Sequence, residues 1–312
     1  MKGPTHSLTC KLFTLSFILL SLHLIFGHYS LHKKYKISTL PDNPPSPEPC
    51  PSSEKVFATM LNLPEWYRRQ DWGLRRDPAL DNVTVTTRGM DKEEITAWNE
   101  FFFGTGGGVM LELGAMNGQN FSVSSFFEES ADWRSILIEA NPTLSSQIFA
   151  NRPNAISFNA AICDQVRTVH YFDEDAGGLL SGGSAIMEFK FGEGQDYEKM
   201  EGNPKVTKIL CVPLSHLLSP LGIRHINFFL LDVEGGELSI LKRVDFDQIK
   251  FDVIAVETDR GNLGADETAK YVDEVIELLR GKGYSLWERK LGRNSWFMSP
   301  DFVPFNASLI FV

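Results

Sequence analysis

The chain has 312 residues, 43% of them hydrophobic, and a formal net charge of −10. This is enough to bury one large core, and it fits a single catalytic-sized domain of roughly 200 to 250 residues once the N-terminal segment is set aside. The acidic balance and the lack of any long Lys/Arg run argue against nucleic acid as a partner, because that affinity rests on neutralising phosphates.

After a short tail, residues 1–11, the first element is apolar. Residues 12–32 contain no Asp, Glu, Lys or Arg and are dense in Leu, Ile and Phe. At about 1.5 Å per residue they approach a hydrocarbon span of roughly 30 Å. They are expected to be an uncleaved transmembrane signal anchor, with a cleaved signal peptide as the rival, since no small-x-small site is evident near Gly27. Lys2 and Lys11 before the segment nearly balance Lys33, Lys34 and Lys36 after it, so positive charge leaves the orientation open. Residues 33–55 form a linker, whose run LPDNPPSPEPCPSS is too proline-rich for a helix or a central strand.

Residues 56–104 are expected to be a flap and a helix. The flap carries Trp66, Tyr67, Arg68, Arg69, Trp72, Arg75 and Arg76 and is read as packing on the main domain. Asp91 and Glu94 suggest a capping box for a helix that runs to about Phe103 and stops at Gly104. From 105 to 312, short apolar runs alternate with amphipathic ones. Strands are expected at 109–113, 135–139 and 155–162, with helices over 119–129 and from about Thr143. Further strands follow at 167–172 and 209–214, on either side of an insertion containing Gly177, Gly178, Gly182 and Gly183. The pattern resumes with a strand at 227–232, a helix at 236–243, a strand at 251–257, a helix at 265–281 and two final strands. This βαβ alternation predicts an α/β fold, doubly wound, with a mostly parallel seven-stranded sheet and helices on both faces.

Four of these strands end on acids: Glu112, Glu139, Asp232 and Glu257. Ligands of open α/β sheets bind at the carboxyl ends of strands, and acids placed beside Val, Ile and Leu need a partner. The turn LELGAMNG supplies Gly114 and Gly118 but lacks the middle glycine of G-x-G-x-x-G, which argues against a pyrophosphate grip and for a cofactor without phosphates. Glu139 follows at the distance of a ribose-binding acid. Cys10, Cys50, Cys163 and Cys211 lie far apart with no C-x-x-C spacing, so neither a zinc site nor a disulfide scaffold is indicated. Cys163 and Cys211 are read as buried thiols. No metal ligands are assigned, and His170, His216 and His225 are read as surface or core residues. Sequons at Asn82, Asn120 and Asn306 fit a lumenal domain, with Asn120 expected to be unmodified beside the cofactor loop.

LELGAMNG, DWRSILIEANP, ISFNAAICD and LLDVEGGEL with SILKRV occur in this order. Together they resemble the FkbM-type methyltransferases, S-adenosylmethionine-dependent enzymes of the class I fold, in their eukaryotic membrane-linked form. The resemblance covers about 109 to 259. It implies that Glu112, Gly114, Ala115 and Gly118 shape the pocket for the methionine part, with Glu112 or its backbone neighbours receiving the ammonium. Glu139 would hold the ribose hydroxyls, Asn159, Ala160 and Ala161 would lie near the adenine, and Asn141 would belong to the same cofactor site. Asp232 would face the transferred methyl and is the candidate base, with Glu234 as its competitor. Glu237 is read as complementing a helix dipole. Two departures concern the substrate end more than the cofactor: Leu230 stands where many relatives have lysine, and Asn117 lies one place later than usual.

The function expected is methylation of a hydroxyl oxygen, on a sugar or other small acceptor, by a single-pass protein of the endoplasmic reticulum or Golgi with a lumenal C-terminal domain. Its partners are then the acceptor, S-adenosylmethionine and, through the N-terminal helix, the membrane. The alternative is a catalytically silent domain of the same fold that tethers a protein cargo in the secretory pathway.

Overall fold

Strand and helix positions follow from burial pattern. The computed structural model describes residues 63–70, 72–174, 185–188, 202–260 and 264–305. The expected anchor at 12–32, the linker, the four glycines of the insertion and Asn306 lie outside these residues. Among the described residues no helix is long and apolar enough to cross a membrane.

The chain enters through α1 (Glu65–Arg69), pairs β1 (Arg75–Arg76) antiparallel with β2 (Thr105–Gly106), and forms α2 (Glu93–Thr96) between them. The βα units follow: β3 (Val109–Leu113), α3 (Ser124–Ser130), β4 (Arg134–Glu139), α4 (Pro142–Asn151) and β5 (Ile156–Asn159). Next come β6 (Ala161–Ile162), β7 (Arg167–Phe172), β8 (Ala185–Ile186), β9 (Val206–Val212) and α5 (Leu214–Leu218). The chain closes with β10 (His225–Leu231), α6 (Glu237–Leu241), β11 (Lys250–Glu257), α7 (Ala265–Gly281), β12 (Ser285–Leu291) and β13 (Asn294–Met298).

Seven strands form one sheet in the order β12-β13-β11-β10-β3-β4-β5. The pairs from β5 to β11 are parallel, and β13 runs antiparallel to both its neighbours. Every residue of β3 and β4 is buried, as is all of β10 after its first residue. A parallel strand covered on both faces needs such a continuous apolar run. In α7, Val272, Val275, Ile276 and Leu279 make the buried stripe of an amphipathic helix, with Asp266 and Glu267 in its first turn. The sequence order of the strands reverses between β3 and β10, which places a crevice at their carboxyl ends.

Trp98, Phe102, Phe126, Phe127, Trp133 and Phe228 form an aromatic core. Residues of the flap, Leu74, Leu80, Val83 and Val85, pack against it. Tyr67 stacks on Trp72, and Trp66 Nε1 donates to Asn154 O at 2.7 Å.

Four local expectations need correction. The helix expected from 119 begins at Ser124, because Asn117 Oδ1 accepts from Gln119 N and Asn120 N, and Glu112 accepts from Val123 N. These bonds hold 119–123 in a turn. The capping box is absent: Lys92 precedes α2 with no side-chain cap, and Glu94 instead accepts from the backbone N of Arg88 and Gly89. The helix continues only as a wide π turn, Ala97–Phe101. The strand expected over 155–162 breaks at Ala160, so that β5 joins the main sheet and β6 a second, four-stranded sheet ordered β6-β9-β7-β8. In that sheet Ala161 pairs with Cys211, and Cys163 and Cys211 form a disulfide rather than standing as separate thiols. Parallel pairing across 48 residues brings the two together, and no local spacing signals it.

Candidate active site

The crevice is a cleft of about 300 Å³, the size of a small-molecule site. Its first wall is the turn after β3. Gly114 (φ +93°) and Ala115 donate their N–H groups to Ile138 O, and Asp232 N donates to Leu113 O at 3.0 Å. The turn is thereby stitched to both neighbouring strand ends. A Cβ on Gly114 would lie 1.6 Å from Asp232 O, so the position demands glycine on both conformational and steric grounds.

Glu112 borders the cleft, but its carboxylate organises the loop that follows. It accepts from Ser122 Oγ, Ser124 Oγ and Val123 N at 2.6–2.8 Å. Burial pushes its carboxyl up, and the two serines and Arg152 act against that rise. Arg152 bonds the same serines, Gly118 O, Ser135 Oγ and, at 2.6 Å, Glu128. Gly118 (φ +75°) packs against Ile148 and Arg152 behind the loop. It is absent from the cleft wall, so its part in the site is indirect.

Glu139 reaches the cleft from the end of β4. One oxygen accepts from Met116 N and the other from Asn141 N, each at 2.7 Å. Burial is the main cause that raises its pKa to about 7, with Asp232 adding to it and the backbone donors opposing it. Each carboxylate oxygen has more than one acceptor site, so capacity remains for further donors. Asn141 caps α4 and donates to Asp173, while Asn159 Nδ2 donates to the carbonyls of Glu139 and Ala140. Both asparagines fix the strand ends and stand off the cleft wall, whereas Ala115, Ala160 and Ala161 line it.

Asp232, half-buried, and Glu234, exposed with φ +55°, line the cleft from the loop after β10. Glu237 latches that loop. It accepts from Val233 N, Gly235 N and the Tyr271 hydroxyl and pairs with Arg260. Glu257, 3% exposed at the end of β11, pairs with Arg293 Nη1 at 2.9 Å. Burial, then Asp232 and Glu234, push its carboxyl up to about 9. Arg293 lines the cleft and also binds Asp91 through its backbone N and Nε, both at 3.0 Å. The sequence reading did not assign Arg293, Met90 or Glu93 to the site. The Asp91–Arg293 contact spans 202 residues and leaves no local pattern.

The strand order, the crevice at its reversal and the acids around it define a class I methyltransferase fold. Residues 112–286 match the methyltransferase FkbM domain, and the chain belongs to that family. A search of curated proteins found no match. Among solved structures, the chain is similar to Aeropyrum pernix fibrillarin, crystallised with natively bound S-adenosyl-L-methionine. The identity is 12% and the TM-score 0.31, over 62% of this chain and 66% of that one, just under two thirds of its length. A S-adenosylmethionine-dependent methyltransferase from Aquifex aeolicus matches at 10% identity and TM-score 0.32, over 74% and 96% of the two chains. A TehB-like methyltransferase from Corynebacterium glutamicum matches at 12% and 0.31, over 68% and 88%.

S-adenosylmethionine is the cofactor of this class, and the residues present fit it. Glu139 has acceptor capacity for a diol, Gly114 lets a ligand approach the backbone, and Asp232 lines the same cleft as Glu139.

Proposed function

We propose that this chain transfers the methyl group of S-adenosylmethionine to a hydroxyl of a sugar or other small acceptor. The observation that carries the reading is that Glu139 and Asp232 share one cleft across the Gly114 turn. The cofactor supplies an electrophilic methyl on a sulfonium. Glu139 accepts the ribose hydroxyls and fixes the register of the ligand along the cleft. Glu112 acts at one remove: it holds Ser122–Ser124 in place, and the backbone neighbours of Glu112 offer carbonyls to the ammonium. Asp232 receives the proton of the acceptor hydroxyl as oxygen attacks, and Glu234 lies at the open side where the acceptor enters. Tyr171 and Ile186 from the second sheet close the wall and limit water.

The same proposal places the domain on the lumenal side of an endoplasmic reticulum or Golgi membrane, anchored by 12–32. The Cys163–Cys211 disulfide supports an oxidising compartment, and the exposed sequon at Asn82 supports access to glycosylation. Asn120 borders the cleft, where a glycan would obstruct entry.

The test compares methylated glycans and small carbohydrates from cells with and without the chain. Re-expressed wild type should restore a methylated species, and Asp232→Asn should lower it by about 10²-fold or more. Equal restoration by both would remove Asp232 from the chemistry. A cargo tether without catalysis would restore trafficking of its cargo and change no methylated species.

A further inference from the structure

We propose that Asp232, Glu234 and Glu257 together hold a divalent cation of the Mg²⁺ or Mn²⁺ class at the methyl-transfer end of the cleft, where it binds the acceptor hydroxyl. This rests on the methyltransferase reading for its purpose, though not for its geometry.

Each of the three residues offers a carboxylate oxygen, and the three oxygens lie within 4.8 Å of one another. Hard cations bind oxygens at about 2.0–2.6 Å, so two ligands on one ion stand at most about 4–5 Å apart. The strands make the arrangement. Leu231 pairs with Val256 in parallel register, so Asp232 and Glu257 leave adjacent strand ends together. Glu234 is brought in by the loop that Glu237 latches through Val233 N and Gly235 N. Two of the ligands thus sit on a braced backbone.

An independent observation points the same way. Glu257 is almost wholly buried and its Oε1 is taken by Arg293, while Oε2 receives no N–H donor and the carboxyl group lies in contact with that of Asp232. Arg260 comes no closer to Oε2 than 4.0 Å, being engaged with Glu237 and the Tyr271 hydroxyl. Arg293 in turn is shared with Asp91. Acidic groups held this close, one of them buried, repel one another, and a cation coordinated among Asp232, Glu234 and Glu257 removes that cost. Carboxylates with room for water are the ligand set that Mg²⁺ and Mn²⁺ prefer.

The chemistry follows. A hydroxyl bound to the cation loses its proton more readily, and the proton passes to water at the open mouth of the cleft. The oxygen–methyl bond then forms as the sulfur–methyl bond breaks. With the cation bound, Asp232 acts as its ligand in place of the proton-accepting role given above, and the cation does the acidifying. The three acids are spaced by two and by 23 residues, unlike any compact ligand motif, and the cysteine spacing on which metal was set aside does not bear on them.

The test titrates Mn²⁺ into the full-length chain after chelator treatment and follows loss of the free-ion paramagnetic resonance signal. Binding of S-adenosylhomocysteine is measured in parallel. Wild type should bind one Mn²⁺ saturably, and Mg²⁺ should compete. Glu257→Gln, Asp232→Asn and the surface change Glu234→Gln should each weaken binding at least tenfold. No saturable Mn²⁺ binding by wild type, or wild-type binding by the well-folded Glu234→Gln together with Asp232→Asn, overturns the cation site. If homocysteine-nucleoside binding persists in that case, the methyltransferase reading stands. Mn²⁺ bound without it would mark the opposite failure.

Discussion

The α-carbon of Gly114 faces the carbonyl oxygen of Asp232 so closely that no side chain fits between them. This contact joins the cofactor turn to the loop that carries the candidate catalytic acid. Gly114→Ala therefore forces either the φ of +93° or the Asp232 backbone to change. The backbone strain alone costs about 1–3 kcal/mol. Urea unfolding should show that loss, and calorimetry should show cofactor-product affinity falling at least tenfold. A variant as stable as wild type, with unchanged affinity, would contradict the contact.

Glu139 gives the site a pH dependence of definite sign. Its folded-state pKa of about 7 lies above the ordinary 4.5, so the free protein holds an extra proton between those values. The stability this contributes is full at low pH and is lost as pH rises through about 7. Ribose hydroxyls donate to the ionised form, so binding near pH 6 should release close to one proton and weaken by about tenfold per unit below 7. Calorimetry in two buffers of different ionisation heat reads this directly. Equal proton counts near pH 6 and 8.5 would contradict it.

The Cys163–Cys211 bond closes a loop of 48 residues across the second sheet. Chain entropy assigns such a crosslink about 2–4 kcal/mol. Cys163→Ser with Cys211→Ser should lower stability to denaturant by that amount, and reductant should do the same to wild type. Insensitivity to reductant in the folded and unfolded ranges alike would rule the bond out.

Arg152, 3% exposed, pairs with Glu128 and holds the serines that Glu112 also binds. Arg152→Met leaves Glu128 and Glu112 without their cation. Breaking a buried pair in this way costs about 3–5 kcal/mol. The measurement is the denaturation midpoint, and a loss below about 1 kcal/mol would contradict the buried network.

What the sequence revealed and what it hid divide along one physical line. β3, β4, β10 and β11 carry short apolar runs with an acid at or next to the strand end, and α7 repeats its apolar residues at helical spacing, so pattern alone located them. The late start of α3 depends on Glu112 capturing Val123 N, a contact made only after the strand is placed. Gly118 looked like part of the pocket because its turn is, yet its α-carbon faces Ile148 of α4 and Arg152 just after it. Asp91 looked like a helix cap until Arg293 arrived from the last hairpin. The disulfide and the break at Ala160 likewise depend on which sheet each strand joins. Local energetics were legible, and pairings between distant segments were not.

The most direct test is calorimetric titration of S-adenosylhomocysteine into the full-length chain and its Glu139→Ala variant. The account predicts one saturable site in wild type and an affinity at least tenfold lower in the variant. No binding by wild type, or identical binding by both, would contradict it.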